Sequence, residues 1–404
     1  MLIGQVIDTN SAWIGQQMSL LGIRLEARLA VGDDEQEIRN GLQFLRTGAD
    51  IIFLTGGLGP TRDDITKKTL CGYFGGKLIE NEAVKQDVTG FFERVKRPLL
   101  ESNLQQAMVP DCCEVIRNPW GTAPAMWFEQ EGKIFVSMPG VPFEMKNLMT
   151  ERVIPRIRER FQTGVILHRT LLTAGIGESF LAEKLRPFED QLPEGFKLAY
   201  LPNLSQVRLR LSATGPEGKR LQVQMDEQVQ YLESLIREDI FGYEEDTLEK
   251  VIGTLLNERG ETLSLAESCT GGNIARRITS IPGSSAYFPG SVVSYSYEMK
   301  KELLQVKDAT LEQFGAVSEE TVKEMSAGCR VRFHSDYSIA VSGIAGPGGG
   351  TTDKPVGTVW IAVRTPDKVY TRLFHFSRNR QQNIEMTTIA ALNLLRKILL
   401  GTVI

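Results

Sequence analysis

Apolar residues along this chain follow two spacings, one typical of helices and one typical of buried strands. Helical spacing occurs at 34–46 and 219–237, and continuous apolar runs occur at 50–55, 133–138 and 337–342. Short continuous apolar runs between helices are typical of parallel strands that are covered on both faces. The pattern therefore predicts an α/β domain at each end of the chain.

A different pattern lies between them. Strands are predicted at 169–174 and 207–213, the second with alternating apolar and polar side chains, and helices at 178–185 and 219–237. Two strands and two helices predict a small α+β domain that acts as a spacer. An acidic, glycine-containing stretch at 240–246 marks its end. We expect three domains, over residues 1–160, 165–243 and 246–404.

Length and composition agree with a soluble multidomain protein. The 404 residues exceed what one core usually holds, and 42% are hydrophobic while 24% are charged. A net charge of −4 gives no support for a nucleic-acid-binding surface, and no apolar run reaches the ~18 residues of a membrane span. The five cysteines form no Cys-x-x-Cys spacing, which favours a reducing compartment. We expect a cytoplasmic protein that binds neither membrane nor nucleic acid.

The first candidate chemistry lies between residues 262 and 300. Ser285 follows a Pro-Gly turn, Tyr295 ends a predicted strand, and Lys300 falls one turn into a helix. A serine, a tyrosine and a lysine without histidine suggest a hydroxyl nucleophile that an amine activates. Such a lysine must lose charge through burial or a nearby cation, because a free lysine titrates near ~10.4. The alternative is a turn serine and a solvated lysine.

Glycine-rich loops after predicted strands supply the other candidates. Residues 56–64 (GGLGPTRDD) follow a buried strand, and ligands of open α/β sheets bind at strand carboxyl ends. Asp63 and Asp64 could hold a divalent cation that bridges phosphates, or they could only cap a helix. Residues 343–350 form a second glycine-rich loop, whose backbone amides would meet a ligand; the alternative is a flexible surface loop.

The N-terminal motifs TGGLGPTRDD (55–64) and PGVPFEM (139–145) resemble the molybdopterin-binding-like domain of the CinA (competence/damage-inducible protein A) family. The resemblance implies a three-layer α/β domain that hydrolyses the pyrophosphate of ADP-ribose with a divalent metal of the Mg, Co or Mn type. It assigns Gly56, Gly57, Gly59 and Thr61 to the phosphates, and Asp64, Asp63 and Glu144 to the metal. The middle domain is similar to the family's KH-like domain, although no Gly-x-x-Gly loop for RNA is present.

The start of the chain departs from the family pattern. Family members usually begin with a further strand and a Gly-Asp-Glu turn before the segment that matches residues 2–5. We therefore expect an N-terminal sheet without its first strand and a site with fewer acidic residues.

The C-terminal motifs AESCTGG (266–272), PGSSA (282–286), SYSYEMK (294–300), SGIAGP (342–347) and KPVGT (354–358) resemble the CinA C-terminal domain. The resemblance implies an α/β domain that deamidates nicotinamide mononucleotide without a cofactor. It assigns Ser285 as nucleophile, Lys300 as general base and Tyr295 as their polar partner, and it assigns Ser268, Gly271, Gly272, Ser342, Gly343 and Arg380 to the substrate.

Two further expectations follow. Domains of this kind often pair, so we expect a homodimer. Cys269, next to Ser268, is a rival nucleophile, although a small buried cysteine is the favoured interpretation. The alternative function is a non-enzymatic protein that binds a pterin or nucleotide and is linked to competence or to molybdenum cofactor metabolism.

Overall fold

The structure is a computed structural model that describes residues 7–61, 63–161 and 164–402. The expectation about the segment at 2–5 lies outside these residues. The chain forms two compact units, one from residues 1–166 and 214–218 and the other from 167–213 and 219–404. Within the described ranges, no helix is both long and apolar enough to cross a membrane.

The first unit is built on a four-stranded sheet with the order β1-β6-β5-β4. Its elements are α1 (Thr9–Leu20), α2 (Glu35–Arg46), β1 (Ile51–Thr55), α3 (Thr66–Tyr73), β2 (Leu78–Glu80), α4 (Glu82–Arg94), α5 (Glu101–Leu104), β3 (Met108–Pro110), β4 (Glu114–Ile116), β5 (Ala125–Gln130), β6 (Lys133–Met138), α6 (Pro142–Leu148) and α7 (Ile154–Arg160).

Both faces of this sheet are covered. Val136 of β6 packs with Ile14 of α1 and Met145 of α6 on one face, and Phe135 packs with Ile38 of α2 on the other. Adjacent strand residues point to opposite faces, so an apolar strand joins two cores. The predicted three-layer α/β domain is confirmed, and β1 and β6 run parallel so that their carboxyl ends meet.

The second unit begins with a four-stranded antiparallel sheet in the order β10-β7-β9-β8. Its elements are β7 (Val165–Ala174), α8 (Glu178–Glu189), β8 (Phe196–Asn203), β9 (Gln206–Gly215), α9 (Gly218–Ile236) and β10 (Ile240–Tyr243). The prediction of two strands was incomplete because β8 and β10 form the edges of the sheet. β8 is only partly buried and lacks a clear alternation, whereas β10 is a short buried strand whose glycine resembles a boundary signal.

The rest of the second unit forms the C-terminal domain. Its elements are α10 (Leu248–Arg259), β11 (Leu263–Glu267), α11 (Asn273–Thr279), a 3₁₀ turn (Ser284–Ala286), β12 (Gly290–Val293), α12 (Tyr297–Leu304), α13 (Asp308–Phe314), α14 (Glu319–Phe333), β13 (Tyr337–Gly343), β14 (Thr358–Arg364), β15 (Val369–His375) and α15 (Arg380–Leu399).

The five strands of this domain follow the order β12-β11-β13-β14-β15. β11 is parallel to both β12 and β13, whereas β14 and β15 are antiparallel additions. Leu265 of β11 packs with Ile252 of α10 on one face, and Ala266 packs with Met325 of α14 on the other. The predicted C-terminal α/β domain is confirmed, and the carboxyl ends of β11, β12 and β13 lie along one edge.

Helix α15 also contacts the middle domain. Asn393 donates from Nδ2 to the carbonyl of Ala174 (3.2 Å), and the buried Arg396 donates to the carbonyls of Ile240 (2.7 Å) and Glu238 (3.2 Å). One apolar cluster contains residues of β7, β10, α10 and α15. The middle and C-terminal domains therefore share a core.

Candidate active site

Lys300 and Ser268 meet at the carboxyl edge of the C-terminal sheet. Ser268 follows β11 directly, and Lys300 lies in the first turns of α12, after β12. Lys300 Nζ is 3.1 Å from Ser268 Oγ, 2.7 Å from the carbonyl of Ser294 and 3.4 Å from that of Tyr295. The parallel pairing of β11 and β12 brings the hydroxyl and the amine together.

The amine of Lys300 is poised to lose its proton. The side chain is 1% exposed, and burial lowers the pKa of Lys300 to about 8. When the Lys300 amine is neutral, its two N–H bonds can donate to the carbonyls of Ser294 and Tyr295, and its lone pair can accept from Ser268 Oγ. This is the arrangement that a general base for a serine hydroxyl requires.

Ser285 lies at the other end of the sheet. The N–H of Leu263, the first residue of β11, donates to the carbonyl of Tyr287 (2.8 Å), two residues after Ser285. The five residues of β11 span about 16 Å, and Ser268 lies beyond their far end. The prediction that Ser285 is the nucleophile activated by Lys300 is therefore wrong. A signal for Ser268 was present, since it directly follows a buried strand.

The amides of Gly271 and Gly272 are already used. Gly271 donates to the carbonyl of Ser268 (3.1 Å), and Gly272 donates to the carboxylate of Glu267 (3.0 Å). The prediction that these two amides face a substrate oxygen is therefore wrong. Their φ angles of 59° and 96° lie in the region that favours glycine, which explains why the sequence needs glycine here.

Two other amides beside the nucleophile are available. Within the part of the chain that the structure describes, the backbone N–H groups of Cys269 and Thr270 donate to no oxygen atom of the protein. Backbone N–H groups that follow a nucleophile are suited to hold a developing oxyanion. Sequence reasoning missed these two donors, because motif spacing does not show which amides a turn leaves free.

The side chain of Cys269 is not a competing nucleophile. It is buried, and burial raises the pKa of its thiol to about 12. A thiol must ionise to attack a carbonyl, so at neutral pH Cys269 stays protonated. The interpretation of Cys269 as a small buried residue is confirmed.

Tyr295 and Arg380 form the exposed side of the site. Arg380 donates from Nη2 to the Tyr295 hydroxyl (2.9 Å) and from Nη1 to the carbonyl of Gly346 (2.8 Å). Tyr295 therefore contacts Lys300 through its carbonyl, whereas its phenol contacts Arg380. The guanidinium is held at the start of α15, beside the loop that contains Gly346, where it can meet an anion.

Ser342 and Gly343 have structural contacts of their own. Ser342 Oγ donates to the carbonyl of Ala316 (2.7 Å), and its side chain is 1% exposed. A Cβ on Gly343 would lie 2.6 Å from the side chain of Val359 and 2.8 Å from the carbonyl of Thr358. Close strand packing thus accounts for this glycine, and the substrate-binding role of both residues stays a prediction.

In the N-terminal domain, the two predicted loops lie side by side. A Cβ on Gly140 would be 3.2 Å from Gly56 Cα, so the loops after β1 and β6 pass in contact. A Cβ on Gly59 would be 2.5 Å from Asp64 Oδ2, which accepts from the N–H (3.0 Å) and hydroxyl (2.5 Å) of Thr61. The structure brings Gly59, Thr61 and Asp64 together, as a closed turn.

The predicted metal ligands do not form one cluster. Asp63 is exposed and Asp64 is bonded to Thr61, whereas Glu144 accepts from Asn118 Nδ2 (2.8 Å). Burial raises the pKa of the Glu144 carboxyl, against the hydrogen bond from Asn118. Among the described residues, no three His, Cys, Asp or Glu side chains stand close enough to hold a metal. As placed, the three acids do not fit a metal ion.

The fold and site define a class, an α/β protein in which two domains with mixed parallel and antiparallel sheets flank an antiparallel domain in the sequence. Three family models match it in order: "Probable molybdopterin binding domain" at residues 1–159, "Damage-inducible protein CinA KH domain" at 168–242 and "CinA C-terminal domain" at 245–399. The chain belongs to the CinA family.

Similar proteins span the same length. The CinA-like protein of Flavobacterium psychrophilum is 46% identical, covering 98% of this chain and 95% of the relative. That of Cytophaga hutchinsonii is 44% identical over the same shares. The crystal structure of competence/damage inducible protein CihA from Agrobacterium tumefaciens is 38% identical, with a TM-score of 0.37, and covers 37% of this chain and 93% of that chain. The names of the two full-length relatives support the family and do not name a reaction.

Proposed function

We propose that the C-terminal domain hydrolyses the carboxamide of nicotinamide mononucleotide, giving nicotinate mononucleotide and ammonia. The observation that carries the proposal is the contact between the buried Lys300 amine and Ser268 Oγ at 3.1 Å. The substrate follows from the resemblance to CinA C-terminal domains, and the Arg380 guanidinium is suited to its phosphate.

The first step is acylation of Ser268. Lys300 takes the hydroxyl proton while Ser268 Oγ bonds to the carboxamide carbon, and the carbonyl oxygen becomes an oxyanion. The amides of Cys269 and Thr270 are placed to donate to that oxyanion, each worth roughly 3 kcal/mol in comparable sites. The protonated Lys300 then gives its proton to the amide nitrogen as the carbon–nitrogen bond breaks, so that ammonia leaves and the acyl-enzyme remains.

The second step is hydrolysis of the acyl-enzyme. Lys300 is neutral again and can deprotonate a water molecule that attacks the ester carbon. The protonated Lys300 then gives that proton to Ser268 Oγ as the bond between the acyl carbon and Oγ breaks, which releases nicotinate mononucleotide and restores the serine hydroxyl. Burial of Lys300 supports both steps, because an amine with an ordinary pKa would rarely be neutral near pH 7.

The test is ammonia release from nicotinamide mononucleotide by the full-length protein. We expect Ser268→Ala to lower kcat at least about a thousandfold, as loss of a nucleophile does. Ser285→Ala is the matched control and should stay within about twofold of wild type. Loss of activity in Ser285→Ala with activity kept in Ser268→Ala would overturn the assignment.

The same assay separates the non-enzymatic alternative. If the protein only binds a pterin or nucleotide, wild type will release no more ammonia than Ser268→Ala or Ser285→Ala. Binding of a pterin in calorimetry, without turnover of nicotinamide mononucleotide, would favour that alternative.

The activity implied for the N-terminal domain, hydrolysis of the ADP-ribose pyrophosphate, has weaker support. The loops at Gly56 and Gly140 offer backbone at strand carboxyl ends, which suits a nucleotide. The separated acids give no basis for a metal-assisted step. We therefore propose nucleotide binding here as the secondary function, to be tested by calorimetry with ADP-ribose.

A further inference from the structure

Glu267 is a wholly buried carboxylate immediately before the proposed nucleophile. It is 0% exposed and accepts four hydrogen bonds. Oε2 accepts from Thr270 Oγ1 (2.6 Å), Gly272 N (3.0 Å) and Ile274 N (3.1 Å), and Oε1 accepts from Ala275 N (2.9 Å). The carboxylate thus occupies the beginning of α11 and closes the turn between β11 and that helix.

The backbone of Glu267 is tied to the base as well. Its carbonyl accepts from the N–H of Ser294 (2.9 Å), and the carbonyl of Ser294 accepts from Lys300 Nζ (2.7 Å). Lys300 in turn contacts Ser268 Oγ, the residue after Glu267. These contacts form a closed ring. Glu267 is joined to Ser268 by the peptide bond, and its carbonyl is linked to Lys300 through Ser294.

The Glu267 carboxylate determines which backbone amides of the turn remain without an acceptor. Gly272, Ile274 and Ala275 donate to Glu267, so the start of α11 offers them to no external anion. Among the described residues of this turn, the N–H groups left without an acceptor are those of Cys269 and Thr270. The Thr270 hydroxyl bond to Glu267 fixes the peptide that carries one of them.

We propose that Glu267 is a positioning residue that holds residues 268–272 so that the amides of Cys269 and Thr270 face the substrate carbonyl oxygen. Four neutral donors, one hydroxyl and three backbone N–H groups, stabilise the charge of Glu267. Among the described residues, no cation forms an ion pair with it. Its effect on the reaction passes through the turn, and it makes no bond to the substrate. The inference rests on the proposed function only in taking Ser268 as nucleophile.

The test compares Glu267→Gln with Glu298→Gln in the full-length protein. Glu298 is exposed on α12, close to Lys300 in sequence, so it is a matched control. Two rates are measured, ammonia release from nicotinamide mononucleotide and covalent labelling of Ser268 by a fluorophosphonate. Phosphonylation of serine passes through an oxyanion, so both rates report the two amides.

For Glu267→Gln we expect kcat and the labelling rate to fall about a hundredfold, with KM within about threefold of wild type. Glu298→Gln should match wild type in all three. Wild-type kcat and labelling in Glu267→Gln, or a change confined to KM, would overturn the proposal. If Glu267→Gln only weakened the fold at the start of α11, the melting temperature would fall, but kcat would not fall while KM stayed unchanged.

Thr270→Val keeps the test decisive if Glu267→Gln fails to fold. It removes one of the four hydrogen bonds at nearly constant volume, and we expect kcat and labelling to fall about five- to tenfold. Wild-type rates in Thr270→Val would overturn the proposal. If the wild-type protein labels at Ser268 but releases no ammonia, the substrate assignment fails, and the labelling rates alone decide the role of Glu267.

Discussion

Two lysines of this protein share one property and differ in what they can do with it. Burial lowers the pKa of Lys67 and of Lys300 to about 8. Each donates to two neighbouring backbone carbonyls, Lys67 to those of residues 105 and 106 at 3.0 and 3.4 Å, and Lys300 to those of residues 294 and 295 at 2.7 and 3.4 Å.

The difference lies in the third neighbour. Lys300 also contacts the Ser268 hydroxyl. Lys67 has two charged neighbours instead, the Asp64 carboxylate, which favours the protonated amine, and the Lys68 ammonium, which opposes it. A lowered pKa therefore marks a buried amine, and the group facing it decides whether the amine acts as a base. Three predictions test this comparison.

The largest expected effect is on deamidation by the two matched variants Lys300→Met and Lys67→Met. Loss of the base should lower kcat for nicotinamide mononucleotide at least about a thousandfold, comparable with loss of the nucleophile. Lys67→Met should stay within about twofold, because Lys67 has no part in this chemistry. Equal losses in both variants would show that the serine contact is not what distinguishes them.

The next effect is the pH dependence of kcat/KM. The reaction needs neutral Lys300, so kcat/KM should rise about tenfold per pH unit below the pKa and level off above about 8. Between pH 6 and pH 8 the expected rise is about fiftyfold. The dependence of kcat/KM on pH is measured, with buffer controls, for wild type and for Lys67→Met. The two profiles should coincide. A profile that is flat from pH 6 to 8 would exclude Lys300 as the base.

The smallest effect is on stability. An amine with a lowered folded-state pKa binds fewer protons when folded, so its contribution improves as pH rises from about 8 to ~10.4 and is lost as pH falls. At pH 7 the cost of charging Lys300 is roughly 3 kcal/mol, and Lys300→Met removes it together with three hydrogen bonds worth about 1 kcal/mol each, so the two effects nearly cancel. Because the charging cost falls as pH rises, we expect the stability of Lys300→Met relative to wild type to drop by about 2 kcal/mol between pH 7 and pH 10.

That change should appear as a melting temperature of Lys300→Met close to that of wild type at pH 7 and below it at pH 10. Lys67→Met should show a smaller change with pH, because Lys67 is only partly buried. A difference in melting temperature between Lys300→Met and wild type that stays constant from pH 7 to pH 10 would contradict a lowered pKa of Lys300.

The layers of the fold could be predicted from the sequence to a large extent. Continuous apolar runs such as 133–138 predicted strands at their observed bounds, because a strand buried on both faces has an unmistakable pattern. The edge strands could not be recognised in the same way, because β8 is partly exposed and β10 has only four residues, one of them a glycine. The cytoplasmic location, the homodimer and the metal requirement stay predictions.

The site was predicted in part. Lys300, Tyr295 and Arg380 were named and lie at one edge, but Ser285 was chosen over Ser268. Both serines lie in matching motifs, and only the parallel register of β11 and β12 shows which end of the strand each one occupies. The role of Glu267 could not be predicted either, since its four partners are backbone and hydroxyl donors that carry no residue-type signal.

Helix α15 carries Arg380 at its start and Arg396 near its end, about 24 Å apart at 1.5 Å per residue. Arg396 is buried against carbonyls of the middle domain, whereas Arg380 lies beside the reacting groups. The middle domain and the C-terminal domain are therefore not interchangeable modules. A middle domain acquired by recombination would have to present carbonyls at the same two positions, or the helix that orients Arg380 would lose its anchor.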